Sequence, residues 1–177
     1  RHWASLRLTF IKPTDYRESV SLEDPIMFHM PLATYMEAVS DRDAGLGLVH
    51  CLNVPDDSDF WRRVYNMAGG PSMRVNAYDY INRSFRLMGM AGAEACTERR
   101  WFALHNFHLQ FYEDSGVLNE YLHFWRDSFE DYWRILAGSM PWYLKLVVFL
   151  SRRVPAFPKM VERTTYGLFR KMAEEHR

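Results

Sequence analysis

Between Val39 and Asp79 the chain alternates helix, loop and strand signals so closely that few architectures can hold it. Ser40 or Asp41 can cap a helix that runs to about Leu52, and the acids of its first turn suit the positive end of the helix dipole. Gly45 and Gly47 weaken that helix relative to alanine, so both are expected to meet a close packing surface. Asn53 to Asp59 holds Pro55-Asp56-Asp57 and reads as a loop. Arg63 to Met67 reads as a strand, stopped by Gly69-Gly70-Pro71. Val75, Tyr78, Ile81, Phe85 and Met88 then follow helical spacing, with Gly89 as the stop.

The flanks extend this pattern. Leu6, Leu8, Phe10 and Ile11 form an apolar segment ended by Pro13 and are expected to be a core strand. Lys12 to Pro25 is polar, a loop or short helix, and Tyr35 to Val39 is a second short strand. Beyond Thr97 aromatic residues crowd together from Phe107 to Trp133. Asp127 or Ser128 can cap a helix to Ala137, and Pro141 and Pro158 punctuate two more helices. The expected fold class is therefore α/β, or α+β as an isolated fragment, with residues 1–91 mixing strands and helices and residues 92–177 a mainly helical extension.

Composition narrows the function classes. Apolar residues make up 48% of the 177 and aromatics 16%, so a packed core is expected and disorder is not. Twenty-two basic and 22 acidic residues cancel, which removes the overall field that would attract nucleic acid. The aromatics from Tyr112 to Trp133 are not interleaved with a basic patch, so base stacking is not expected either. Cys51 and Cys96 fit no zinc or disulfide spacing and read as buried free thiols in a reducing, cytoplasmic setting. The first residue is Arg1, with a strand already under way from Trp3 and no signal peptide ahead of it, so the chain reads as a soluble fragment that starts inside something larger.

The segments Leu6-Arg7-Leu8-Thr9-Phe10-Ile11-Lys12-Pro13, Asp43-Ala44-Gly45-Leu46-Gly47 and Tyr65-Asn66-Met67-Ala68-Gly69-Gly70, followed by the helical stretch Val75 to Met88, occur in a telling order. Together they resemble the C-terminal part of the extended short-chain dehydrogenase/reductases, the NAD-dependent epimerase/dehydratase family. The likeness covers about half of the chain. It departs at the first strand, where no glycine precedes the proline, and at Asp41, where the family has a hydrophobic residue.

The resemblance implies the C-terminal portion of a Rossmann-type enzyme using NAD or NADP. Thr9, Phe10 and Ile11 would flank the nicotinamide. Phe28, His29 and Met30 would line a pocket for a small-molecule substrate, with Phe28 and Met30 equally open to simple core packing. Arg74 could pair with a diphosphate, although a solvent-exposed arginine is the preferred reading. The chain has no Gly-x-x-Gly-x-x-Gly loop to hold a pyrophosphate, and none of its tyrosines has a lysine four positions later. Catalytic residues and most of the cofactor site are therefore expected on an N-terminal nucleotide-binding half, cleaved off or carried by a separate chain, and this chain alone should be inactive. The rival reading is a non-catalytic module that binds an apolar ligand or a protein partner. Homo-oligomerisation stays open under both.

Other candidates have plainer explanations. His105 and His108, three apart with Glu113 and Asp114 nearby, could share a helix face around zinc or iron, but no third ligand stands at helical spacing and packing among aromatics is preferred. Asp41 and Asp43 could pass for paired catalytic carboxylates, but at a helix start caps are the expectation. Trp142 to Leu150, then Arg152-Arg153, has the make-up of an interfacial segment. It is too short to span a bilayer, and a buried helix closing a domain or dimer interface is preferred, so membrane contact is not expected.

Overall fold

The computed structural model describes residues 4–8, 10–11, 26–105, 112–154 and 156–175. Among these residues, six short strands and six α-helices follow in order: β1 (Ser5–Leu8), β2 (Phe10–Ile11), β3 (Tyr35–Glu37), β4 (Val39–Ser40), α1 (Asp41–His50), β5 (Val64–Met67), β6 (Arg74–Asn76), α2 (Ala77–Leu87), α3 (Ser115–Leu122), α4 (Phe129–Ser139), α5 (Trp142–Arg153) and α6 (Ala156–Glu175). The class is mixed helix with small sheets. The strands form two-stranded sheets, β1 with β5, β2 with β4 and β3 with β6. The first two pairs are parallel, in register Leu6 with Tyr65, Leu8 with Met67, and Ile11 with Ser40. A parallel partner cannot be reached by a hairpin, so each pair is closed by a long crossover.

The chain divides into two compact units, and each draws on separated stretches. The first comprises residues 1–14, 35–75 and 109–136; the second comprises residues 15–34, 76–108 and 137–177. The boundary near residue 91 expected from the sequence thus falls inside the second unit.

The first unit is organised around Val39, Phe60, Tyr65, Met67, Leu118 and Phe124, all buried. Tyr65 stacks on Phe60 and donates its hydroxyl proton to the Phe60 carbonyl at 2.9 Å. α1 presses on this core at Gly47, where an added Cβ would lie 3.2 Å from the Phe124 ring. Gly45 has open space around it, so only one of the two helix glycines meets the expected close approach.

The second unit centres on Phe28, Ile81, Phe85, Cys96 and Phe102. α2 begins at Ala77 rather than at Val75, because the Asn76 side chain accepts the Tyr78 N–H and so caps the helix there, while Arg74–Asn76 stays extended as β6. Pro158 lies in the first turn of α6 instead of ending a helix, a place where its missing N–H costs nothing.

Both cysteines are free; Cys96 is buried as expected, whereas Cys51 is only half-buried. Burial pushes the Cys96 thiol up to about 11, and its Sγ sits 3.3 Å from the Met90 thioether. Cys96 should therefore resist a thiol reagent near neutral pH until the chain unfolds, with the half-buried Cys51 modified first. Mass spectrometry of partly labelled protein checks this; equal labelling of both in folded protein would contradict the placement.

Candidate functional site

In open parallel sheets, ligands sit beyond the carboxyl ends of the strands. In the first unit that edge is built by the exits of β4 and β5. β4 runs straight into α1, and β5 runs into Ala68-Gly69-Gly70-Pro71. Gly69 donates its N–H to the Ala38 carbonyl at 2.7 Å, and a Cβ there would lie equally close to that oxygen. Gly70 has φ +76, and a Cβ on it would lie 2.6 Å from the Trp125 ring. Trp125 is fixed in turn by its indole N–H, which donates to the Ala68 carbonyl at 2.7 Å.

Three acids converge behind this turn. Glu37 is fully buried. Its Oε1 accepts the Gly70 N–H at 2.8 Å and the Ser115 hydroxyl at 2.7 Å, and its Oε2 accepts Arg74 Nε at 2.7 Å. Asp43, also fully buried, accepts the Arg126 and Asp127 N–H groups, both at 2.9 Å, on Oδ2. Asp127 accepts the Ser40 hydroxyl at 2.5 Å and pairs with Arg42 at 2.6 Å. Ser40 also caps α1 by accepting the Asp43 N–H at 3.0 Å. Ser72 links the two clusters through the Asp127 carbonyl at 3.2 Å.

This is a satisfied polar network, since burying carboxylates is tolerable only with such donors. Asp43 Oδ1 is the exception, a buried acceptor with no partner among the described residues. The network can hold the Gly-Gly turn and the start of α1 rigidly beside the strand ends, and Asp43 Oδ1 can take one further donor. Among the described residues no group of three or more His, Cys, Asp or Glu could hold a metal ion.

The residues singled out from sequence divide between the two units. Thr9 lies outside the described residues. The backbone of Phe10 and Ile11 lies at the carboxyl end of β1, paired with Val39 and Ser40. Arg74 joins the polar network: its side chain is 33% exposed, its Nε is held by Glu37, and one terminal nitrogen donates to the Tyr112 carbonyl at 3.4 Å. Phe28 and Met30 are buried in the second unit, where Phe28 meets Trp101, Phe102 and Phe169 edge-on. In that position the Phe28 ring serves packing. His29 between them is exposed. His105 is exposed and outside any helix, and His108 lies outside the described residues.

Sequence reading did not single out Glu37, Ser115 or Trp125, and took Asp127 only as a candidate helix cap. The one usable signal was an acid in the middle of the apolar strand Tyr35-Met36-Glu37-Ala38-Val39, which needs a buried partner. Asp41 is exposed at the helix start, whereas Asp43 turns inward to hold the backbone at Arg126 and Asp127. No protein-family model, no curated protein and no solved structure matches this chain.

Proposed function

We propose that this chain is the substrate-side part of an NAD(P)-dependent oxidoreductase or epimerase of the extended short-chain type. The observation that carries the reading is the parallel pairing of the segments that bear the resemblance: Leu6 and Leu8 of β1 lie beside Tyr65 and Met67 of β5. Parallel sheets of two strands are rare, because such sheets are normally wide and covered on both faces. Here Val64 on the outer face of β5 is 56% exposed, which fits a sheet whose other strands and covering helices belong to a nucleotide-binding half.

NAD or NADP does not fit the described residues of this chain by themselves. A pyrophosphate needs free backbone N–H groups at a helix N-terminus. At the start of α1, Arg42 N–H already donates to Asp41 Oδ1 at 2.9 Å and Asp43 N–H to Ser40, and Gly70 N–H is held by Glu37. Cofactor binding and proton transfer therefore belong to the other half. This chain supplies a wall beside the strand ends, with Phe10 and Ile11 at its edge and the Gly69-Gly70 turn held in place by Glu37, Arg74 and Trp125.

The test is expression of the chain joined to the polypeptide encoded directly ahead of it, followed by titration with NADH and NADPH. The joined protein should bind one of them and the 177-residue chain neither. A preceding sequence without a glycine-rich loop, or nucleotide binding by this chain alone, would overturn the proposal. The rival reading, a non-catalytic module for an apolar ligand or protein partner, draws on one observation: the carboxylates of the network are taken up by structural donors. It predicts that neither protein binds nucleotide.

A further inference from the structure

α5 was expected from its sequence to be a buried helix closing a domain or a dimer interface, and within the single chain it is not buried. None of its residues is buried. Its inner side leans on the second unit, where a Cβ on Gly89 would lie 3.2 Å from Val148 Cα. Its outer side carries Trp142, 75% exposed, together with Leu146 and Phe149, the latter 54% exposed. These three and Arg153 follow i, i+4, i+7, i+11 spacing and so share one face. Exposing an indole and a phenyl ring on one helix face in water is unfavourable, and a patch of this kind marks a contact surface.

The charge around this face identifies what it contacts. Residues 142–161 contain four basic residues, Lys145, Arg152, Arg153 and Lys159, and no acid, in a chain whose charges cancel overall. The Arg153 guanidinium lies 5.5 Å from the centre of the Phe149 ring, so the cation sits against the apolar face and can remain at a polar boundary while the ring goes deeper. Trp142 and Tyr143 open the helix, and indole and phenol rings favour the headgroup level. Twelve residues of helix measure about 18 Å, short of the roughly 30 Å hydrocarbon core, and no helix among the described residues is long and apolar enough to cross a membrane. The combination fits a helix lying in the plane of a bilayer surface.

We propose that α5 docks this chain on an anionic lipid surface, with Trp142, Leu146 and Phe149 entering the headgroup region and Arg152 and Arg153 meeting lipid phosphates. The proposal goes beyond the enzymatic reading and does not rest on it. An apolar–basic face without acids suits anionic lipid better than a second copy of itself, which would oppose like charges.

The test is co-sedimentation of the 177-residue chain with phosphatidylcholine vesicles, alone or with roughly one-third phosphatidylserine. The chain should sediment with the anionic vesicles, weakly with the neutral ones, and less as salt rises. Each basic residue near such a surface contributes about fivefold in binding, so Arg152→Glu with Arg153→Glu should weaken it by at least about 30-fold. Trp142→Ala with Phe149→Ala should remove most of the remainder. All four positions are exposed, so far-UV circular dichroism should not change. Absence of binding to anionic vesicles, binding indifferent to both double variants, or a dimer in sedimentation equilibrium that Trp142→Ala dissociates would each overturn the proposal.

Discussion

Glu37→Ala is expected to destabilise the first unit by about 3–5 kcal/mol, the range for removing one partner of a buried ion pair. Glu37 is fully buried, and its carboxylate is the common acceptor for Arg74, the Gly70 N–H and the Ser115 hydroxyl. Removing it leaves a guanidinium that is two-thirds covered without its carboxylate and the Gly70 N–H without its acceptor, while the Ser115 hydroxyl keeps only the Tyr112 carbonyl at 3.3 Å. Glu37→Gln keeps an acceptor for Gly70 and Ser115 but loses the charge and turns an amide NH2 toward the Arg74 Nε–H, so it should cost less than the alanine variant by the two hydrogen bonds it keeps. Urea unfolding midpoints of the two variants, at unchanged m, read the difference. Equal and small effects would mean that water reaches the site and that the network does not hold the Gly-Gly turn.

Gly70→Ala should be comparably damaging, for two separable reasons. Its backbone, at φ 76 and ψ −167, lies in a region open essentially to glycine, where a side chain costs about 1–3 kcal/mol. The new methyl would also meet the Trp125 ring at 2.6 Å, and forced overpacking adds about 1–3 kcal/mol. The steric part belongs to the pair and the backbone part does not. Adding Trp125→Leu to Gly70→Ala should therefore recover about 1–2 kcal/mol relative to the sum of the single effects. Strict additivity in that cycle would place Trp125 away from Gly70.

The local features of the first unit were largely legible. Ser40 caps α1 as expected, β5 ends at the Gly-Gly turn, and the Gly47 contact follows from a glycine placed in a helix. What sequence reading missed acts at long range. Glu37 meets its donors 33, 37 and 78 positions away, and Asp43 reaches backbone more than 80 positions on. No local pattern encodes such pairings. Gly45 has the same local signature as Gly47 but meets nothing, because it lies on the other side of the helix. α5 makes the same point from the surface: its periodicity states that one face is apolar and does not say what covers it. Phe28 was in the same position, since an apolar residue near a turn looks alike whether it lines a pocket or, as here, fills a core.

The proposed enzymatic reading rests on order and spacing of short motifs, and the feature of the fold it draws on is the parallel pairing of β1 with β5. Amide hydrogen exchange along Leu6–Leu8 and Tyr65–Met67 tests that directly. If this pair is part of a wider sheet, these amides should exchange readily in the 177-residue chain and become strongly protected once the preceding polypeptide is joined to it. Full protection in the chain alone, unchanged on joining, would show a sheet already complete and would contradict the account.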